Sequence, residues 1–130
     1  MHNSLSGSIP VQILNISTLQ RFLLVDNNLS GNLPPTVGNG LIELKELFLY
    51  VNDFHGVITA SICNASKLTI LDLTLNKLSG PVPNSLGDLR LLTRLSVAEN
   101  DLRSEPSSTE LTFINCLTNY TTGRMRFKNN

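Results

Sequence analysis

Asparagine recurs at positions 3, 27, 52, 76 and 100 of the chain, in steps of 24 with a single step of 25. An apolar frame travels with it. The fullest copy is Leu68-x-x-Leu71-x-Leu73-x-x-Asn76-x-Leu78-x-Gly80-x-Val82-Pro83. Leu19, Phe22, Leu24, Asn27, Leu29, Gly31, Leu33 and Pro34 repeat it, as do Leu44, Leu47, Leu49, Asn52, Phe54, Gly56 and Ile58, with Thr59 in the proline position. Leu92, Leu95, Val97, Asn100 and Leu102 form a fourth copy that stops there, and Asn3, Leu5, Gly7, Ile9 and Pro10 form a half copy ahead of the first. A fixed period of this length marks one small unit copied along an axis. No single unit can bury both of its flat sides, so the copies must stack.

Each position in the frame has a physical reason. The pairs Phe22 and Leu24, Leu47 and Leu49, Leu71 and Leu73, and Leu95 and Val97 alternate at period two, which predicts a short strand with one buried face. Beyond the glycine, apolar residues step by four, three and three, as in Ile9, Ile13, Ile16, Leu19 and in Val82, Leu86, Leu89, Leu92. Those steps predict a turn or so of helix or 3₁₀ leading back to the next strand. The asparagines fall where the chain leaves the strand. A carboxamide there can both donate to and accept from otherwise unpaired backbone groups of its own and the neighbouring coil. Gly31, Gly56 and Gly80 are expected at a backbone turn that a Cβ would obstruct, and Pro10, Pro34 and Pro83 begin the return segment, where a fixed φ suits it.

The extended pattern, LxxLxLxxNxLxGxLPxxL, resembles the leucine-rich repeat, in the plant extracellular form found in receptor-like kinases and receptor-like proteins. The resemblance covers residues 3 to 102. It implies an α/β solenoid: a right-handed stack with a short parallel sheet on the concave face and 3₁₀ or irregular return segments. On this division residues 1–102 form the array, with a half repeat over 3–18 and repeats starting near 19, 44, 68 and 92. Residues 103–118 form a longer return segment, where a capping-box spacing, Ser107-x-x-Glu110, precedes Leu111, Phe113, Ile114 and Leu117 and predicts a short helix. Residues 119–130 diverge from the pattern.

Several function classes are disfavoured by the residues themselves. Ten basic and ten acidic side chains cancel, leaving no electrostatic footprint for nucleic acid. No apolar run is long enough to span a bilayer, and the first residues have no apolar core of a signal peptide. His2 and His55 have no defensible catalytic partner, and kinase signatures are missing. Gly38-Asn39-Gly40 lacks the lysine and third glycine of a phosphate loop and is expected to be a turn carrying the extra residue of the 25-residue repeat. We therefore expect no enzyme, no cofactor and no metal site. Cys63 and Cys116 lie 53 residues apart, a little over two coils, or roughly 10 Å along the stack. That exceeds the reach of a disulfide, so both are expected unpaired, with Cys63 as small buried filler. Asn15, Asn28, Asn64 and Asn119 each head an Asn-x-Ser/Thr sequence and are candidate N-glycosylation sites if the parent protein is secreted.

Function is expected on the concave sheet, where side chains differ from coil to coil on a rigid support. Period two places Arg21, Leu23 and Val25 in the first row, Glu46, Phe48 and Tyr50 in the second, Ile70, Asp72 and Thr74 in the third, and Arg94, Ser96 and Ala98 in the fourth. Leu23, Val25, Phe48 and Tyr50 make an apolar, aromatic corner flanked by Arg21 and Glu46, the composition of a protein or peptide interface. The resemblance implies a piece of a receptor ectodomain, extracellular or at the plasma membrane in the parent, with a protein or peptide ligand and a co-receptor as partners. Kinase activity would belong only to a full-length parent. Two other expectations stand beside it: a secreted inhibitor of an extracellular enzyme, and a truncated product without activity, suggested by the start at Asn3 in mid-repeat.

Overall fold

The computed structural model describes residues 6–103. Each coil begins with a three-residue strand: β2 (Arg21–Leu23), β4 (Glu46–Phe48), β6 (Ile70–Asp72) and β8 (Arg94–Ser96). These pair in parallel, in chain order, so that Phe22, Leu47, Leu71 and Leu95 stand in one line across the sheet. All four are buried. With Leu49, Leu73 and Val97 two residues on, they turn one face of every coil into the solenoid interior.

A second parallel sheet follows each asparagine. It comprises β1 (Ser6–Gly7), β3 (Asn28–Asn32), β5 (Asp53–Val57), β7 (Lys77–Pro81) and β9 (Asp101–Arg103), in the order β1-β3-β5-β7-β9. This sheet departs from the expectation of an irregular return. The glycines lie inside strands rather than at turns. Gly56 and Gly80 hold φ of 80° and 74°, which bends the strand while its hydrogen bonds continue. Register explains how this works: Gly31 lies opposite Phe54, Gly56 opposite Leu78 and Gly80 opposite Leu102. Each strand is thus slipped by two residues against the repeat frame, and a glycine always lies opposite a core residue of the next coil. Phe54 and Leu78 have no exposed surface.

The return segments close the coils. Three are 3₁₀ helices, Val11–Asn15, Ala60–Asn64 and Asn84–Asp88, entered from the extended residues Pro10, Thr59 and Pro83. The fourth is a turn of α-helix, α1 (Val37–Gly40), in the coil with the extra residue. In three returns the predicted inward residues are buried: Val37 and Leu41, Ile62 and Ala65, Leu86 and Leu89. The first differs, since Leu14 is buried there while Ile13 is half-buried and Ile16 is 47% exposed. Among the described residues no earlier return segment lies against it to cover those two side chains.

The asparagines lock the coils together. Asn76 Oδ1 accepts the Phe54 N–H of the preceding coil at 3.1 Å, and its Nδ2 donates to Leu49 O at 3.0 Å and Leu73 O at 3.1 Å. Asn52 and Asn100 repeat the arrangement, accepting from Leu29 N–H and Leu78 N–H and donating to the leucine carbonyl one coil back. Two inner leucine carbonyls are shared: Leu49 O accepts from Asn52 and Asn76, and Leu73 O from Asn76 and Asn100. Asn27 is buried and donates to Val25 O, but its Oδ1 meets no donor among the described residues. In the repeat frame the matching position is Leu5, which lies outside the described residues. Asn3, the helix expected after Ser107, Cys116 and Asn119 also lie outside the described residues.

Candidate binding surface

The concave sheet is the surface that varies along an otherwise uniform stack. Its side chains form columns across the coils: Arg21, Glu46, Ile70 and Arg94, then Leu23, Phe48, Asp72 and Ser96. Val25, Tyr50, Thr74 and Ala98 follow in the repeat frame, all partly exposed. Parallel pairing spaces neighbours in a column by about 4.8 Å, close enough for one ligand group to touch several coils.

The aromatic corner is present. Phe48 and Tyr50 are half-buried and meet edge to face, with ring centroids 6.3 Å apart and planes at 78°. Such a pair holds its rings more rigidly than either residue alone. Leu23, half exposed, lies opposite Phe48 in the ladder. At the outer edge Arg21 Nε donates to Glu46 Oε1 at 2.9 Å. This pair is well exposed and contributes little stability, but it fixes where the charges sit.

Asp72 and Ser96 depart from the expectation that all twelve side chains stand free. They are only 6% and 8% exposed. The Asp72 carboxylate turns back on the chain, accepting the Thr74 N–H at 3.0 Å through Oδ1 and Arg94 Nη2 at 3.4 Å through Oδ2. An aspartate two residues before a free N–H folds over to accept it. Asp72 thus supports the turn and orients Arg94. The accessible part of the face lies on the first two coils together with Ile70, Thr74, Arg94 and Ala98.

One column was missed by the sequence reading. Asp26, Val51, Leu75 and Glu99, each immediately before a ladder asparagine, all adopt left-handed backbone with φ of 57° to 60°. Their only sequence signal is that position. They continue the ladder, since Asp26 N–H donates to Tyr50 O, Val51 N–H to Thr74 O and Leu75 N–H to Ala98 O.

The other candidate sites lie away from this face. Asn15 and Asn64 end return helices and Asn28 begins β3; all three are exposed. Asn64 Nδ2 also donates to Asn39 Oδ1 at 2.7 Å, linking neighbouring returns. Cys63 is half-buried rather than buried filler and forms no disulfide. Its Sγ donates to Ser85 Oγ at 3.1 Å. Burial pushes its thiol above the ordinary range and Asp88 adds to this, while the Ser85 bond opposes it. In a Cys116→Ser variant at pH 8, alkylation of Cys63 should be at least about tenfold slower folded than in denaturant. Equal rates would show the thiol to be fully accessible. Among the described residues no group of three His, Cys, Asp or Glu could hold a metal, and no helix is long and apolar enough to cross a membrane.

The profile of the Leucine Rich Repeat family matches residues 67–89, the coil built around Asn76. The stack superposes on the crystal structure of the BIR3–SERK2 complex from Arabidopsis thaliana with a TM-score of 0.80 and 34% identity, over 95% of this chain and 62% of that one. This chain is a leucine-rich repeat array. Its relatives include Arabidopsis receptor-like proteins and receptor-like kinases. Receptor-like protein 31 of Arabidopsis thaliana is 42% identical over 72 residues, covering 55% of this chain and 8% of that protein. The Arabidopsis receptor kinase HAESA, solved in complex with the peptide hormone IDA and the co-receptor SERK1, matches 98% of this chain and 20% of its own at 29% identity and a TM-score of 0.74. Across the curated relatives, this leucine-rich repeat array spans between 6% and 13% of the full length.

Proposed function

We propose that this array is a ligand-binding segment of a plant receptor ectodomain and that it recognises a protein or peptide on its concave face. The observation that carries the reading is the Phe48–Tyr50 pair, two half-buried rings held edge to face beside exposed Leu23. Aromatic anchors fixed on a rigid sheet and rimmed by paired charge lose little conformational freedom on binding. The relatives support the same reading, because HAESA holds both a peptide and a co-receptor. In this view the segment works by binding alone, and any kinase step belongs to another part of the parent protein. The parent is extracellular or at the plasma membrane, with glycans on Asn15, Asn28 and Asn64, all of which lie off the concave sheet.

Replacing Phe48 or Tyr50 by alanine in the parent receptor should weaken ligand binding by about tenfold each, the range of an interface anchor. The fold should survive, because both side chains lie outside the buried core. Unchanged affinity in both variants would remove the concave corner from consideration.

A further inference from the structure

Asn39 is the one asparagine in the chain followed by glycine. The extra residue of this return produces the pair: the matching Asn15 and Asn64 precede Ile16 and Ala65, whereas Gly40 fills the added place after Asn39. A backbone nitrogen can attack the carboxamide carbon of the asparagine before it, closing a five-membered ring, and glycine leaves that nitrogen unshielded. Two further features favour attack at Asn39. Its side chain is exposed, and its Oδ1 accepts from Asn64 Nδ2 at 2.7 Å, a bond that stabilises negative charge on that oxygen as the ring closes. Opposing them, the Gly40 N–H is held by Thr36 O at 3.0 Å, so its nitrogen can turn on Asn39 only when that bond opens. α1 is a single turn with no side-chain cap, and Asn39 near its end faces solvent. Such a turn opens locally at far lower cost than the stack unfolds.

We propose that Asn39–Gly40 is a site of spontaneous deamidation, and that isoaspartate formed there loosens the folded array. The proposal stands whether or not the concave face binds a ligand. Hydroxide takes the Gly40 amide proton, the nitrogen bonds to Asn39 Cγ, and the Cγ–Nδ2 bond breaks. Ammonia leaves, taking its third hydrogen from water and restoring the hydroxide. Water then opens the succinimide. Cleavage at Cγ leaves aspartate on an ordinary backbone, and cleavage at the main-chain carbonyl leaves isoaspartate, in which the chain runs through Cβ and Cγ and is one methylene longer. The longer chain has no slack to occupy. A Cβ on Gly40 would fall on the Leu14 carbonyl and one on Gly38 on the Ser61 carbonyl, so the backbone on both sides of residue 39 already lies against a neighbouring coil. Leu41 and Leu44 follow in the same return, and both are buried. An added methylene must displace one of those approaches or the leucines behind them.

The test holds the full chain at about pH 8, where hydroxide-dependent attack outpaces that at about pH 6, and follows it by peptide mapping, isoaspartate-specific methylation and thermal melting. A gain of about 1 Da, amide to acid, should appear at Asn39 at least about fivefold faster than at Asn84, which is also exposed in a return but precedes Ser85. The isoaspartate-bearing fraction should melt about 5 °C or more below fresh protein. Asn39→Ala, and Asn39→Gln with a side chain that would have to close a larger ring, should each keep its fresh melting temperature through the same incubation. Conversion at Asn39 no faster than at Asn84, or no faster at the higher pH, overturns the reaction. An isoaspartate fraction that melts with fresh protein, or an Asn39→Gln chain that loses as much stability on incubation as wild type, overturns the loosening.

Discussion

Asn76→Ala should destabilise the chain by about 3–5 kcal/mol, among the largest losses expected from any single side chain. The estimate follows from what the carboxamide satisfies. Its Oδ1 is the partner of the buried Phe54 N–H, which alanine would leave orphaned at a cost of about 1–3 kcal/mol. Its Nδ2 bonds to Leu49 O and Leu73 O would also go, but those carbonyls keep Asn52 and Asn100, so each loss is nearer to the ordinary ~1 kcal/mol. Thermal or urea unfolding would measure it, and a loss below about 1 kcal/mol would mean that water replaces the ladder. Asn76→Asp separates the two roles. One carboxylate oxygen can still accept from Phe54, but the other would face two carbonyl oxygens in a buried site. That environment raises the carboxyl pKa above its unfolded value near ~3.9. Protonated, the group can donate as the amide does. The variant should therefore lie closest to wild type in acid and lose ground as pH rises through the folded pKa.

The fold was legible wherever a residue's role is repeated in every coil. The inward leucines of the concave strands and the asparagine column depend only on period and polarity, and both can be read from spacing. The second sheet was not legible, for a local reason. Glycine and proline close together, as in Ser79-Gly80-Pro81, ordinarily mark a turn, and three pairing residues per coil are too few to show alternation. Only the register shows that each glycine stands opposite a core side chain of the next coil. The first return segment misled for another reason: the apolar steps from Ile9 to Leu19 match the frame, yet burial depends on a neighbouring coil that periodicity alone cannot supply.

The binding face divides in the same way. Period two placed the columns, so the Phe48–Tyr50 corner could be named from sequence. It could not show that Asp72 folds back onto the Thr74 N–H, because carboxylate direction follows from local backbone and lateral neighbours. Nor could it show the left-handed column. Val51 and Leu75 read as ordinary apolar residues until their φ values are known. What is repeated is scaffold, and the scaffold sets the backbone of this column whichever residues fill it.

Gly40→Ala should cost about 3–5 kcal/mol, more than ordinary overpacking, because no side chain can move aside to relieve it. The return that contains it has one residue more than the others: aligning Asn15, Asn39, Asn64 and Asp88 leaves Gly40 as the insertion. The insertion widens a 3₁₀ turn into α1, with Gly40 N–H donating to Thr36 O at 3.0 Å. It also brings the backbone of α1 against both neighbours. A Cβ on Gly40 would fall on the Leu14 carbonyl of the preceding coil, and one on Gly38 would fall on the Ser61 carbonyl of the following coil. The two approaches oppose each other, so a turn that retreats from Leu14 advances on Ser61. Nor can the coils separate freely, since both sheets hydrogen-bond them at fixed spacing. Asn39 between the two glycines is exposed, its side chain accepts from Asn64 Nδ2, and its backbone bond to Thr36 O survives truncation, so Asn39→Ala should change stability by less than about 1 kcal/mol. Urea unfolding of Gly40→Ala, Gly38→Ala and Asn39→Ala gives the comparison. Equal midpoints across the three would show that the coils flex enough to admit a methyl group, and that the glycines serve the turn alone.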